Sequence, residues 1–362
     1  MSNFKFVFYT LILFITLTCL SLGLIYLYDP LQIFHKSYFK EERFFSEMRV
    51  GARGIIKHYD FDSYILGSSM LQNTSAKEAS EKLGGKWVNI SPAASSIKER
   101  AIILKYLFQN RNPQTIIYSL DAFSDEVTTK PNFQLLYDDS LLNDFEAYLN
   151  DRFIICALTF SRKEKCIEKK DLETLLQWIK EEKHIQRLGG FENWIKFNPD
   201  IFKENLKGFA QAKPVEFNTD KIDTNKQQKL LNSFTLSFIK EHPYTKFHLI
   251  LPPYSRFHFK INSKAFIERK KIIYYLLHQT KDLKNVTVYG FDTLDYADNI
   301  ANYAGDTIHY ANDMNSLQLS AIQNKTHILT LDNMESYFDT LEQKIQDYDI
   351  TPLIDKANAT LP

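Results

Sequence analysis

Ser63-Tyr-Ile-Leu-Gly-Ser-Ser-Met70, Lys86-Trp-Val-Asn-Ile90 and Thr115-Ile-Ile-Tyr-Ser-Leu120 are three apolar runs of strand length lying between positions 63 and 120. Between the first two, Ser75 to Leu83 reads as a helix; between the second and third, Ile97 to Phe108 carries apolar residues at helical spacing. Strand, helix, strand, helix, strand is the pattern of a parallel sheet joined by crossover helices. The alternation resumes with Lys246-Phe-His-Leu-Ile-Leu251, a helix over Ala265 to Gln279, and Asn285-Val-Thr-Val-Tyr289. The chain therefore reads as an α/β protein with a mainly parallel sheet. Such sheets bind ligands beyond the carboxyl ends of their strands. Chemistry is expected just after Leu66, Ile90 and Leu120.

Upstream of this block, Phe6 to Tyr28 holds no charged residue and is bounded by Lys5 and Asp29. At about 1.5 Å per residue the run makes roughly 34 Å of helix, enough to cross a hydrocarbon core of about 30 Å. A cleaved signal would have a shorter apolar centre and a small-residue cleavage site. Here Leu20-Ser-Leu-Gly-Leu-Ile-Tyr-Leu-Tyr28 stays bulky, and Leu17-Thr18 before Cys19 do not suit a lipoprotein signal. An uncleaved single-pass anchor is expected. Lys5 precedes the run while Lys36, Lys40 and Arg43 follow it, so the positive-inside count does not favour an inward amino terminus. With no second hydrophobic span downstream, the rest of the chain reads as extracytoplasmic.

Composition agrees with a folded chain: 362 residues, 44% hydrophobic and 24% charged, with 11 Gly and 11 Pro. Collagen-like and disordered classes are excluded. Lys+Arg and Asp+Glu are both 44, which leaves no basic excess for general nucleic-acid binding. The mean hydropathy of −0.30 hides the single apolar run, diluted by everything that follows it. Of three cysteines, Cys156 and Cys166 lie in one segment. An oxidising compartment would let them pair, closing a loop worth about 2–3 kcal/mol; alternatively Cys156 is a small buried hydrophobe.

From about 131 to 243 aromatic and charged residues mix at helical spacing, with few strand signals, and the segment reads as a helical insertion or lid. Leu331 to Tyr348 reads as an exposed helix. The expected organisation is an anchor over 1–30, the first part of the α/β domain over 31–130, the insertion over 131–243, the second part of the domain over 244–330, and a carboxyl-terminal helix and tail over 331–362.

Two motifs carry chemistry. Gly67-Ser68-Ser69-Met70 places a hydroxyl at the carboxyl edge of the sheet, although an N-capping serine in a plain βα turn has the same look. Far downstream, Gly305-Asp306-Thr-Ile-His309-Tyr310 puts a carboxylate three residues before a histidine, the spacing that can hold an imidazole in the tautomer a serine nucleophile needs. With nine histidines in the chain, about half a D-x-x-H is expected by accident. Pro252-Pro253-Tyr254-Ser255 follows another strand, where Tyr254 either meets substrate or closes a rigid turn. Asn73 either supports the serine loop or caps a helix. The chain has no P-loop, dinucleotide fingerprint, HExxH or metal-ligand histidine spacing, so no cofactor and no metal are expected.

A strand-end G-x-S early in an α/β chain, with D-x-x-H after its last strand, resembles the SGNH (GDSL-like) hydrolase and acyltransferase superfamily. The resemblance implies a three-layer α/β/α, flavodoxin-like domain in which Ser69 is the nucleophile, His309 the base and Asp306 its orienting carboxylate. Ser68 stands in place of the usual Asp. The family's second-block glycine falls at Ala94, whose N–H, with that of Ser69, would serve the oxyanion. The third-block G-x-N-D is replaced by Asp121-Ala122-Phe123-Ser124, so the oxyanion asparagine has no counterpart. More closely, Arg49-Val-Gly-Ala-Arg-Gly-Ile-Ile-Lys57, Ile65 to Asn73 and Leu251-Pro-Pro-Tyr-Ser255 look like the membrane-anchored SGNH-like proteins of bacterial envelopes, the DltD-like and alginate-acetylation types. That likeness covers roughly 55–130 and 245–325 and leaves the insertion unmatched. It implies a serine acyltransferase or esterase in the bacterial cytoplasmic membrane, its domain periplasmic. The substrate would be acyl groups, acetyl first among them, on a cell-envelope polysaccharide, and a membrane-bound O-acyltransferase would be a partner. The alternative implied by the lost asparagine is a non-catalytic SGNH-like protein that binds a glycan or such a partner.

Overall fold

The computed structural model describes residues 3–38, 41–125, 133–138, 140–163, 165–166, 171–197, 204, 207–214 and 222–360. The chain forms two compact units, residues 1–60 with 128–175, and residues 61–127 with 176–362. The expected insertion is thus shared between the units. Its described residues form short helices and 3-10 turns; part of it, with Lys40 upstream, lies outside the described residues.

The second unit is built on a six-stranded sheet in the order β2-β1-β3-β4-β5-β6. The strands are β1 (Ser63–Leu66), β2 (Trp87–Asn89), β3 (Thr115–Ser119), β4 (Lys246–Leu251), β5 (Val286–Gly290) and β6 (Ile328–Leu329). The first five pair in parallel, and β6 is antiparallel to β5. Strands β1 and β2 are buried throughout, which is why they read as unbroken apolar runs rather than alternating ones. Six strands, five of them parallel, make this a mixed α/β unit.

Right-handed crossovers dictate where the helices go. The step from β1 to β2 runs one way along the sheet, and every later parallel step runs the other. Helix α4 (Ala76–Leu83) therefore covers one face, and α5 (Ile97–Asn110) the other. Contacts agree: α4 packs with the helix Asn312–Asn324, and α5 with the helical stretch 225–236. Both have side-chain caps, Ser75 for α4 and a full Ser96/Glu99 capping box for α5. Because the crossover direction reverses between β1 and β3, their carboxyl ends splay into a crevice.

Two expectations need correction. The helix Met334–Asp347 is not an exposed tail, since Met334, Phe338, Leu341 and Ile345 recur on one face and are buried. Its apolar period was hidden between charged residues. Strand β6, only two residues long, was too short to signal itself.

The first unit begins with α1 (Asn3–Tyr28), long and apolar enough to cross a membrane. Its end is tied down. Asp29 accepts the backbone N–H groups of Ile33, Phe34 and His35, each at 2.9 Å, and the hydroxyl of Tyr148. Arg53, on α2 (Met48–His58), makes a buried ion pair with Asp144 at 2.6 Å. Cys156 and Cys166 form a disulfide, deciding the question their spacing raised.

Candidate active site

Strand β1 runs into Gly67 and then α3 (Ser69–Gln72), capped by the Ser68 hydroxyl, which accepts from the N–H of Met70. Gly67 is there for lack of space. A Cβ would stand 2.7 Å from the Ser119 hydroxyl and 2.8 Å from the Leu71 side chain. Its N–H donates to the Ser91 hydroxyl at 2.9 Å and the Ser68 N–H to the Ser119 hydroxyl at 3.2 Å, so the ends of β1, β2 and β3 are tied together beside α3.

The loop that carries the histidine is shaped locally. Gly305 has φ 81, in the left-handed region, and turns the chain after Tyr303. The Asp306 carboxylate accepts the N–H groups of Ile308 and His309, both at 2.8 Å. Its other oxygen lies 2.6 Å from His309 Nδ1. An ionised carboxylate only accepts, so Nδ1 carries the proton and Nε2 is left as an acceptor. Ser69 Oγ lies 2.9 Å from that Nε2. Serine, imidazole and carboxylate form one hydrogen-bonded line.

Charges within the line reinforce one another. Burial opposes ionisation of Asp306, but the hydrogen bond and charge of His309 and the two backbone N–H groups outweigh it, holding the carboxyl below its ordinary range. Burial also works against a charged His309, but the bond and charge of Asp306, and then the charge of Asp121, outweigh that and raise it above its ordinary value.

The loop is held against α3 by the helix Asn312–Asn324. The Tyr310 hydroxyl and Asn315 Nδ2 both donate to the Met70 carbonyl, at 3.0 and 2.9 Å. Gln318 donates to the Tyr310 hydroxyl at 3.1 Å. From the other side, Asn89 Nδ2 donates to the carbonyls of Leu71, Gln72 and Thr74. The helix bearing Ser69 is thus only one turn long, yet pinned along its length.

No protein-family model and no curated protein matches this chain. The site has to be read from its geometry.

Just past the third strand, Asp121 forms the hub of a buried network. It accepts from Ser119 Oγ at 2.6 Å, Arg100 Nη1 at 2.9 Å and the Ser68 hydroxyl. Arg100 is fully buried, donates to the Ser119 carbonyl at 2.7 Å, and has its guanidinium 4.9 Å from the Tyr118 ring centre. Ser68 is therefore bonded to an acid across the crevice. Neither Arg100 nor the Ser68 to Asp121 bond was found from sequence. The signal was present only as an arginine on the core face of α5.

The remaining expected residues fall in distinct places. Ala94 is exposed, with φ 48, and Ala122 has φ 50; both adopt the left-handed conformation that glycine takes most cheaply. Asn73 caps α3, and its side-chain oxygen accepts the N–H of Ile179 at 3.1 Å. Tyr254 lies over Arg269, whose guanidinium is 4.2 Å from the ring centre, and joins Asp121 and Arg269 in lining a cavity of about 200 Å³. The next residue, Ser255, donates its N–H to the Thr307 carbonyl at 2.9 Å, beside Asp306. Trp178 was missed altogether. Its ring meets that of His309 edge-on at 5.9 Å, and its indole N–H, buried, has no hydrogen-bond partner among the described residues.

Proposed function

We propose that the protein is a membrane-anchored serine acyltransferase or esterase of SGNH type, with a flavodoxin-like three-layer domain. It acts on acyl groups, acetyl first among them, of a cell-envelope polysaccharide on the outer side of the bacterial cytoplasmic membrane. The observation that carries the reading is the 2.9 Å approach of Ser69 Oγ to His309 Nε2, with Asp306 behind it. His309 takes the hydroxyl proton as Ser69 Oγ attacks the acyl carbonyl, giving a tetrahedral oxyanion. The N–H groups of Ser69 and Ala94 are assigned to that charge; the Ser69 amide belongs to a first helical turn, which has no intrahelical acceptor for it. His309 then returns the proton to the leaving alcohol, leaving an acyl-Ser69 ester. A glycan hydroxyl, or water, gives its proton to His309 as it attacks the acyl carbonyl, and His309 passes that proton to Ser69 Oγ as the ester bond breaks, restoring the free serine. Tethering favours transfer, because it keeps the site beside a membrane-bound O-acyltransferase that supplies the acyl group.

A second reading is favoured by one observation, the use of Asp121 in a buried ion pair where an oxyanion-binding asparagine would stand. Loss of one such donor costs about 10²–10³ in rate. On that reading the protein is a non-catalytic envelope protein that binds a glycan or the acyltransferase partner. A fluorophosphonate probe separates the two. Labelling of the full-length protein that vanishes in Ser69→Ala supports catalysis; labelling that persists in Ser69→Ala, or none in the parent protein, overturns it.

A further inference from the structure

The first unit carries an apolar surface that its own core leaves uncovered. Helix α6 (Asp151–Leu158), capped by Asn150, turns Phe153, Cys156 and Ala157 inward. Beyond the polar Asp151 and Arg152 of its first turn, its exposed residues are apolar: Ile154, Ile155 and Leu158, Leu158 at 60%. Just outside the helix, Leu142 is 85% and Leu149 58% exposed, and Phe160 is also exposed. Scattered exposed apolar residues are ordinary, but a helix apolar on nearly every side belongs in a core or in lipid.

Its position says which. Helix α6 packs along α1, and Leu149, Ile154 and Leu158 share a crevice of about 430 Å³ with Leu17, Leu22 and Ile25 of α1. The arrangement is held firmly. The Tyr28 hydroxyl donates to the Ser161 carbonyl at 2.6 Å, the Tyr28 and Phe160 rings meet edge-on at 5.8 Å, and the Cys156–Cys166 disulfide closes the segment. Leu17 precedes Tyr28 by three helical turns, about 16 Å along the axis, or half of a hydrocarbon core of about 30 Å. The uncovered apolar surface of α6 is therefore level with the last turns of the anchor. At the end of α6, Arg162 and Lys163 are exposed.

We propose that residues 141–160 form a second membrane contact, whose exposed apolar side chains enter the leaflet from which α1 emerges. Acyl chains fill the crevice between α1 and α6, and Arg162 and Lys163 meet phospholipid headgroups. Continuity with the lipid-facing side of α1 identifies the occupant as bilayer, so the inference rests on α1 spanning the membrane. The test uses the full chain in phosphatidylcholine/phosphatidylglycerol vesicles, with tryptophan reporters at Ile155→Trp and Phe14→Trp read as differences from the parent protein. Lipids brominated on the acyl chains should quench most of the added emission at both positions. If Phe14→Trp is quenched and Ile155→Trp is not, the embedded element falls while the anchor stands; if Phe14→Trp escapes quenching, the anchor itself falls and takes the inference with it.

Discussion

The Asn73 side-chain oxygen accepts the backbone N–H of Ile179 at 3.1 Å, so the one-turn helix bearing Ser69 is fastened to the segment bearing Trp178. The same segment brings the Trp178 ring edge-on to His309. Ser69 and His309 are thus both supported by one segment that is distant in sequence from each of them. Asn73→Ala leaves the Ile179 N–H buried without an acceptor, costing about 1–3 kcal/mol. Thermal unfolding should report that loss, and turnover should fall in Asn73→Ala, whereas Asn73→Asp, which keeps an acceptor, should leave turnover intact. Equal turnover in Asn73→Ala and the parent protein would show that the fastening does not reach the site.

Asp306 raises His309 above the ordinary histidine value, and a general base works only when neutral. Activity should therefore climb with pH through an inflection above about 6.5. Asp306→Asn withdraws the charge that favours the imidazolium, so the inflection moves down while the maximal rate drops by about 10²–10⁴. A pH–rate profile of kcat/KM for both proteins checks the sign. An inflection that moves up in Asp306→Asn would contradict the assigned orientation.

The Arg100–Asp121 pair is buried, and breaking such a pair from one side costs about 3–5 kcal/mol. Asp121→Ala should destabilise the second unit by about that much in urea unfolding. Asp121→Asn keeps a hydrogen-bond acceptor for Ser68 but removes a charge that helps hold His309 protonated. Its stability loss should be smaller, and its acid inflection should shift slightly downward. Unchanged stability in Asp121→Ala would mean that the pair is not formed.

Burial lowers His258 and His248 to about 4. The unfolded chain takes up those protons near pH 6.5, whereas the folded chain resists until about 4, so stability falls as pH drops across that window. Melting temperature should decline by several degrees between pH 6.5 and 4. His248→Gln should flatten the decline, since it removes one of the two groups. A slope identical to that of the parent protein would show that His248 titrates alike in the folded and unfolded chains.

What was legible in the sequence was what local pattern encodes. Strands buried on both faces must be continuous apolar runs, so β1, β3 and β4 were readable, and α1 follows from twenty-three uncharged residues in a row. The caps at Ser75 and Ser96 announce their helices for the same reason, because a side chain needs to reach only its own backbone. Ser69, Asp306 and His309 were legible as residue types at the right strand ends.

Tertiary structure decided everything that depends on residues meeting from far apart. Ser69 and His309 are 240 positions apart, and their 2.9 Å contact exists because Asn315 and Tyr310 both grip the Met70 carbonyl. Arg100, Asp121 and Ser68 look like ordinary polar residues until burial gathers them, with Ser119, into one hydrogen-bonded network. The division of the 131–243 insertion between two units, and the burial of Met334–Asp347, have the same origin. A sequence states which groups are apolar, charged or able to turn the chain. Which of them lose water together is set only when the sheet closes its order and packs its two faces.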